Sequence, residues 1–208
     1  MKGELRRNLF LGVIAVIVVV VVFTTGNSES KGENTEYYCD VKNLRLSTVI
    51  EIEKDNEDYA LVKGNVSKIL TDPLTMYDLE DNKIGYASDS YHFLAQDSHA
   101  IYIDNQLKME MVGLVDFIGE SYDIYDSNEE KIANVKFNMT NTVGQMHDTN
   151  GELIADYTSR MFINDFKVRI YESCELDQNA ILMMFCSYYS DQAADSKAST
   201  SSNKGSSE

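Results

Sequence analysis

The sequence predicts a mainly-β domain over residues 37–192, set behind one N-terminal apolar helix. Three observations carry that expectation. Apolar side chains recur on alternate positions along much of the chain, the period of a strand with one face buried. There are 13 tyrosines and a single proline, Pro73, in 208 residues. Tyrosine suits a pleated surface, and with one proline the turns must be built from Asn, Asp and Gly. Third, Leu9–Phe23 (LFLGVIAVIVVVVVF) is uncharged and has no polar face.

Residues 1–8 (MKGELRRN) contain Lys2, Arg6 and Arg7. Basic residues ahead of an apolar run hold a short N-terminus in the cytoplasm. The stretch Asn8–Thr25 is 18 residues long, at the short end of the roughly 17–25 needed to cross a bilayer. A transmembrane anchor over residues 9–25 is the first reading. A cleavable signal peptide is the alternative, with Thr24, Thr25 and Gly26 as small residues but no A-x-A site. Both readings put the remainder outside, so the expected location is the cell membrane, single-pass, N-terminus in and C-terminal domain out. Residues 26–36 read as a polar linker.

Within 37–192 the strands announce themselves by alternation. Leu44, Leu46, Ile50 and Ile52 oppose Ser47, Glu51 and Glu53. Leu107, Met109 and Met111 form another row, continued by Val115 and Phe117 beyond Gly113. Val135, Phe137 and Met139 make a third. Phe166, Val168 and Ile170 make a fourth, with Lys167 and Arg169 turned away. Ala180–Tyr189 (AILMMFCSYY) breaks the pattern, being apolar on every side until Ser187. A segment wet on no face must be surrounded by protein, either as a central buried strand or as a short helix filling a closed sheet. The Ser-rich residues 193–208 are predicted to be disordered.

Charge narrows the partners. Residues 37–192 hold 12 basic and 28 acidic side chains, and the rest of the chain 6 of each, so the whole net charge of −16 sits in the domain. Such a surface repels phosphate backbones and anionic headgroups. No nucleic-acid partner is expected, and no headgroup site built on a basic patch. Cys39, Cys174 and Cys186 show neither C-x-x-C nor a zinc spacing. Outside the cytoplasm one disulfide is allowed, with one thiol left over, and no pairing follows from spacing. Cys186, inside the apolar run, reads as a small buried hydrophobe.

For catalysis the sequence offers little. His92, His99 and His147 read as structural. No G-x-S-x-G, H-E-x-x-H or glycine-rich phosphate loop is present, and nothing singles out two of the many carboxylates as an acid–base pair. The expectation is a non-enzyme with no catalytic, cofactor or metal residues. Asn65 (N-V-S) and Asn138 (N-M-T) are glycosylation acceptors only in a eukaryotic cell.

Three acidic stretches invite a metal reading: Tyr77-Asp-Leu-Glu-Asp-Asn-Lys-Ile-Gly, Tyr125-Asp-Ser-Asn-Glu-Glu-Lys-Ile-Ala and His147-Asp-Thr-Asn-Gly-Glu-Leu-Ile-Ala. A calcium loop needs oxygens at positions 1, 3 and 5, Gly at 6 and Glu at 12. Counting from Asp126, Asn128 and Glu130 fit, but Lys131 and Phe137 then occupy the last two places. From Asp148, Asn150 and Glu152 fit, whereas Leu153 and Met161 do not. From Asp78 the series runs Glu80, Asn82 and Lys83. The three stretches instead share the form strand, polar turn, strand, the signature of a β-hairpin, with Asp and Asn bonding their own backbone.

The repeated hairpins, with "YDIYDSNEEKIANVKF", "MHDTNGELIADY", "FKVRIYE" and the terminal "AILMMFCSYY", give residues 74–189 a resemblance to the LURP-one-related/tubby C-terminal-like superfamily. The resemblance implies a closed antiparallel barrel of about twelve strands, threaded by the last apolar segment as a helix. The superfamily includes phosphoinositide binders and phospholipid scramblases. The binders use a basic surface site that has no counterpart here, and scramblase-type members carry their membrane helix at the C-terminus, so no ligand residues are carried over. The leading expectation is a non-enzymatic, membrane-anchored binding or scaffolding module for a protein or small lipid ligand. A lipid-handling protein comes second, and a hydrolase with an unrecognised carboxylate site third.

Overall fold

The structure is a computed structural model describing residues 33–43, 47–65, 74–89, 98–114, 119–160 and 164–202. The apolar run Leu9–Phe23, the residues Leu44, Leu46, His92, Val115 and Phe117, and residues 203–208 lie outside the described residues. Among the described residues no helix is long and apolar enough to cross a membrane.

Twelve strands form one closed antiparallel barrel in which each pairs with its sequence neighbours and β1 pairs with β12. The first six are β1 (Asn34–Asn43), β2 (Ser47–Lys54), β3 (Glu57–Asn65), β4 (Leu74–Tyr77), β5 (Lys83–Asp89) and β6 (Ser98–Ile103). The second six are β7 (Gln106–Leu114), β8 (Ser121–Tyr125), β9 (Lys131–Phe137), β10 (Val143–Asp148), β11 (Leu153–Ser159) and β12 (Asp165–Tyr171). Closure removes the exposed edges that an open sheet would offer to other chains. The seam is tied outside as well as through the ladder. Lys167 Nζ lies 2.6 Å from Glu36 Oε1, and Tyr38 donates to Asp165 Oδ2 at 2.7 Å. Arg160 pairs with the same Asp165. The first strand takes in Asn34–Glu36, which composition assigns to the linker, because Asn34 finds a backbone partner in Tyr171.

The helix α1 (Gln178–Ser202) fills the barrel. Asp177 caps it, its Oδ1 accepting from the backbone N–H of Asn179 at 2.9 Å and of Ala180 at 3.2 Å, two of the donors every helix start leaves unpaired. Every residue from Ala180 to Cys186 is 0 % exposed. Of the two readings of this segment, the helix is the one found. It also runs to Ser202, well into the stretch whose composition predicts disorder. Once the buried turns have nucleated a helix, adding residues such as Ala193, Ala194, Lys197 and Ala198 costs little.

The alternation read from sequence gives the inner wall. Ile50 and Ile52, Met109 and Met111, Val135 and Phe137, and Phe166, Val168 and Ile170 are all buried and packed with the helix. Met139 is the exception at 79 % exposed. Strand β9 ends at Phe137, and the next residues turn the chain instead of extending it.

Five hairpins follow one plan. Each has a register shift within two residues of its turn, at Ile52/Glu53, Met76/Tyr77, Ile101/Tyr102, Ile124/Tyr125 and Met146/His147. Such bulges bend a strand and sharpen its twist, as a closing barrel requires. Just before the bulge sits a bulky buried residue, opposite a small one in four of the five hairpins. Ile52 faces Ala60, Met76 faces Gly85, Ile124 faces Ala133 and Met146 faces Ala155. The "Ile-small" ending of the sequence repeat is therefore the inward position that makes room beside a large neighbour. At Gly85 a Cβ would lie 2.4 Å from the carbonyl oxygen of Tyr102, so even alanine is too large there.

Candidate functional site

Antiparallel strands send alternate connections to opposite ends of the barrel. The turns β2–β3, β4–β5, β6–β7, β8–β9 and β10–β11 share one end with the entry into α1. The opposite ends of the strands, with the described β9–β10 turn, lie at the other, where α1 also emerges.

The three acidic stretches all lie at the turn end and share one geometry. Asp78 Oδ1 accepts from the backbone N–H of Glu80 at 2.9 Å and of Asn82 at 2.8 Å. Asp126 Oδ1 accepts from Asn128 at 2.8 Å and Glu130 at 2.9 Å. Asp148 Oδ1 accepts from Asn150 at 2.9 Å and Glu152 at 2.7 Å. In each turn the second carboxylate oxygen takes a side-chain amide, from Asn82, Asn128 or Asn150. These donors hold all three aspartates below the usual carboxylate range, led by the Asn82 side chain for Asp78 and by the backbone of Glu130 and Glu152 for the others. The residues at calcium positions 3 and 5 thus present N–H groups to the carboxylate, where a cation needs oxygens. Among the described residues no group of His, Cys, Asp and Glu is arranged to hold a metal.

The tightest hairpins use left-handed pairs instead. Asp55 and Asn56 have φ of 52° and 66°, and Asp104 and Asn105 of 51° and 61°, the double positive φ that matches strand twist in a two-residue loop. Asn138 is a fourth side-chain-capped turn, at the other end. Its Oδ1 accepts from Thr142 N–H at 2.9 Å and Val143 N–H at 3.1 Å, and its Nδ2 donates to Thr142 Oγ1 at 3.2 Å. The sequon asparagine is thereby built into a turn.

Where α1 leaves the barrel, polar groups converge. Glu120 is the hub. Its Oε1 accepts from Asn141 Nδ2 and from Gln192 Nε2, each at 3.0 Å. Its Oε2 accepts from Gln192 Nε2 at 3.0 Å and from Tyr122 at 3.1 Å. Asn141 also donates to Gln192 Oε1 at 2.9 Å. Two strands away, on β6, His99, 6 % exposed, places Nε2 2.6 Å from Asp191 Oδ2 and Nδ1 3.5 Å from Asp89 Oδ1. Asp191 and Gln192 are neighbours on α1, so the two networks hold adjacent faces of the emerging helix.

Three buried phenols complete the inner surface. Tyr188 stacks on Phe137 with centroids 3.6 Å apart, and Tyr157 stacks on Phe185 at 5.5 Å. Tyr37 donates to Gln178 Oε1 at 2.9 Å beside the start of the helix. Burial pushes the phenols of Tyr37, Tyr157 and Tyr188 well up, with nearby Glu120 adding to the rise at Tyr188. They stay protonated at neutral pH, as donors and ring contacts rather than as bases or nucleophiles.

Of the residues named from sequence, His99 is structural in position but gripped by two carboxylates, while half-buried His147 lies on β10 at the far end. Sequence reasoning missed Glu120, Asn141, Asp89 and Asp191 as a group. Glu120 and Gln192 are 72 residues apart and Asn141 and Gln192 are 51 apart, and no local pattern reports such a meeting. No family model, curated protein or solved structure matches this chain.

Proposed function

We propose that this chain is a non-enzymatic binding or scaffolding module of the tubby C-terminal-like kind, held outside the cytoplasmic membrane by an N-terminal transmembrane helix over residues 9–25. One observation supports it above all. The barrel is filled by its own helix, with Ala180–Cys186 wholly buried among the inward strand side chains. Barrels that take a ligand leave the lumen to it. Here the working surface is the exterior, above all the end where α1 emerges beside Glu120, Asn141 and Gln192, since loops on a rigid scaffold are where binding concentrates. The net charge of −16 within that exterior favours a protein partner with positive charge over a nucleic acid or an anionic headgroup.

Topology and partner class are testable together. Protease added to intact cells should cut in residues 24–33 and shed a resistant barrel. Full protection would reverse the orientation. The shed domain should stay at the bottom of a flotation gradient with liposomes of mixed zwitterionic and anionic lipid. Stable flotation would favour the lipid-handling reading.

A further inference from the structure

We infer that Cys39 and Cys186 are a disulfide pair that fastens the central helix to the first strand of the barrel. Cys39 lies in β1 and Cys186 in α1, both 0 % exposed and both thiols in the structure. Burial, and then the neighbouring Cys186 thiol, push the Cys39 thiol up. Rings on both sides hold the two backbones in place. Cys39 is in register with Phe166 of β12. The Phe166 ring stacks on Tyr189, one helical turn beyond Cys186, with centroids 4.9 Å apart and planes at 23°. Tyr157, in register with Val168 of the same β12, stacks on Phe185, the residue before Cys186, at 5.5 Å and 18°. The turn of α1 carrying Cys186 is therefore pinned against β11 and β12, with β1 next to them.

The third cysteine is excluded by position. Cys174 precedes the helix, and Gln178 to Cys186 alone spans about 12 Å of helix axis. Phe166 to Tyr171 adds roughly 16 Å of strand between Cys39 and the end where Cys174 lies. Two Cα atoms must come within about 7 Å to be bridged. Cys174 is left as the single free thiol.

The chemistry needs a two-electron acceptor, which is a disulfide-bearing oxidant, R–S–S–R. One cysteine thiolate attacks it, forming a mixed disulfide and releasing RSH. The second thiolate displaces the remaining RS group, giving the Cys39–Cys186 bond and a second RSH. Burial pushes the Cys39 thiol well up, so thiolate is scarce once the helix is seated, and the bond forms before or during docking. The supply of oxidant in the cell rests on the extracytoplasmic placement proposed above.

The test uses the full chain in detergent, reduced and unfolded, then refolded in a mixture of oxidised and reduced glutathione. Free thiols are trapped with N-ethylmaleimide and the products mapped by mass. The expected product has Cys39 joined to Cys186 and one alkylated thiol, Cys174. Adding reductant should lower the thermal midpoint by roughly 5–15 °C, equally in Cys174→Ser, and by nothing in Cys186→Ser. Three alkylated cysteines, or a bridge involving Cys174, would overturn the pairing. A bridge that forms in glutathione but is missing from protein taken from cells would leave the pairing standing and count against the extracytoplasmic placement.

Discussion

Gly144 offers a sharp test of how tightly this core is built. A Cβ added there would lie 2.5 Å from Phe137 Cε1 and 2.7 Å from Cδ1. Carbon atoms are comfortable at about 3.5–4.0 Å, so the ring would have to retreat by roughly 1 Å. Behind it Tyr188 is stacked at 3.6 Å, and Tyr122, Tyr157 and Phe185 stand edge-on at 6.1, 5.7 and 6.3 Å. The ring has nowhere to go, and Gly144→Ala should cost about 1–3 kcal/mol as overpacking. Phe137→Leu alone should cost a similar amount, about 1–3 kcal/mol, from the lost ring contacts and the space left behind. Together the two should cost less than their sum by about 1 kcal/mol or more, because the smaller side chain gives the new methyl its room. Urea unfolding followed by far-ultraviolet circular dichroism supplies all four corners of the cycle, with unchanged m-values as the check on two-state behaviour. Additivity within about 0.5 kcal/mol would show that the two groups do not compete for space. Gly151→Ala is the control, since Gly151 has φ of 82° and nothing within 4 Å of the added atom. Its cost, about 1 kcal/mol of backbone strain, should not change with residue 137.

Asp177→Ala should destabilise the fold by about 1 kcal/mol while Asp177→Asn costs much less, because either side chain caps the helix through an oxygen; equal losses in thermal or urea unfolding would refute the cap. The pH profile should have two limbs. Asp78, Asp126, Asp148 and Asp165 are held below their ordinary values, Asp165 chiefly by Arg160. Their contribution is present above the unfolded carboxylate value, about pH 4, and is lost as pH falls through the lower folded values. The buried phenols are shifted the other way, so stability should fall again above about pH 9–10 as the unfolded chain ionises. A thermal midpoint that stays flat from pH 5 to about pH 2.5 would refute the acid limb.

Much of the architecture was legible because it is periodic. The alternating rows at Ile50–Ile52, Val135–Phe137 and Phe166–Ile170 point inward as their spacing predicts. The acidic stretches are turns, and the segment from Ala180 to Tyr188 is enclosed on all sides. Two local details escaped. Met139 continues its row by spacing, yet Asn138 caps a turn there with its own side chain, and a side-chain cap leaves no mark on hydropathy. The helix outlasts its apolar stretch because helix formation depends on what has already been nucleated, which composition does not record. The networks around Glu120 and His99 were illegible for a deeper reason. They exist only because the closed barrel brings β5, β6, the residues flanking β8 and the end of α1 to one place, and closure is a property of the whole ring of strands.

The order of the chain gives the buried helix a further meaning. The element that fills the barrel follows all twelve strands in the chain, so during synthesis the strands have no centre to fold around until Gln178 and the residues after it have been made. Until then Ile52, Met76, Ile124, Val135 and Val168 lack the partner they close upon. A stop codon at Gln178 would thus remove the middle of the barrel while leaving every one of its twelve strands in place.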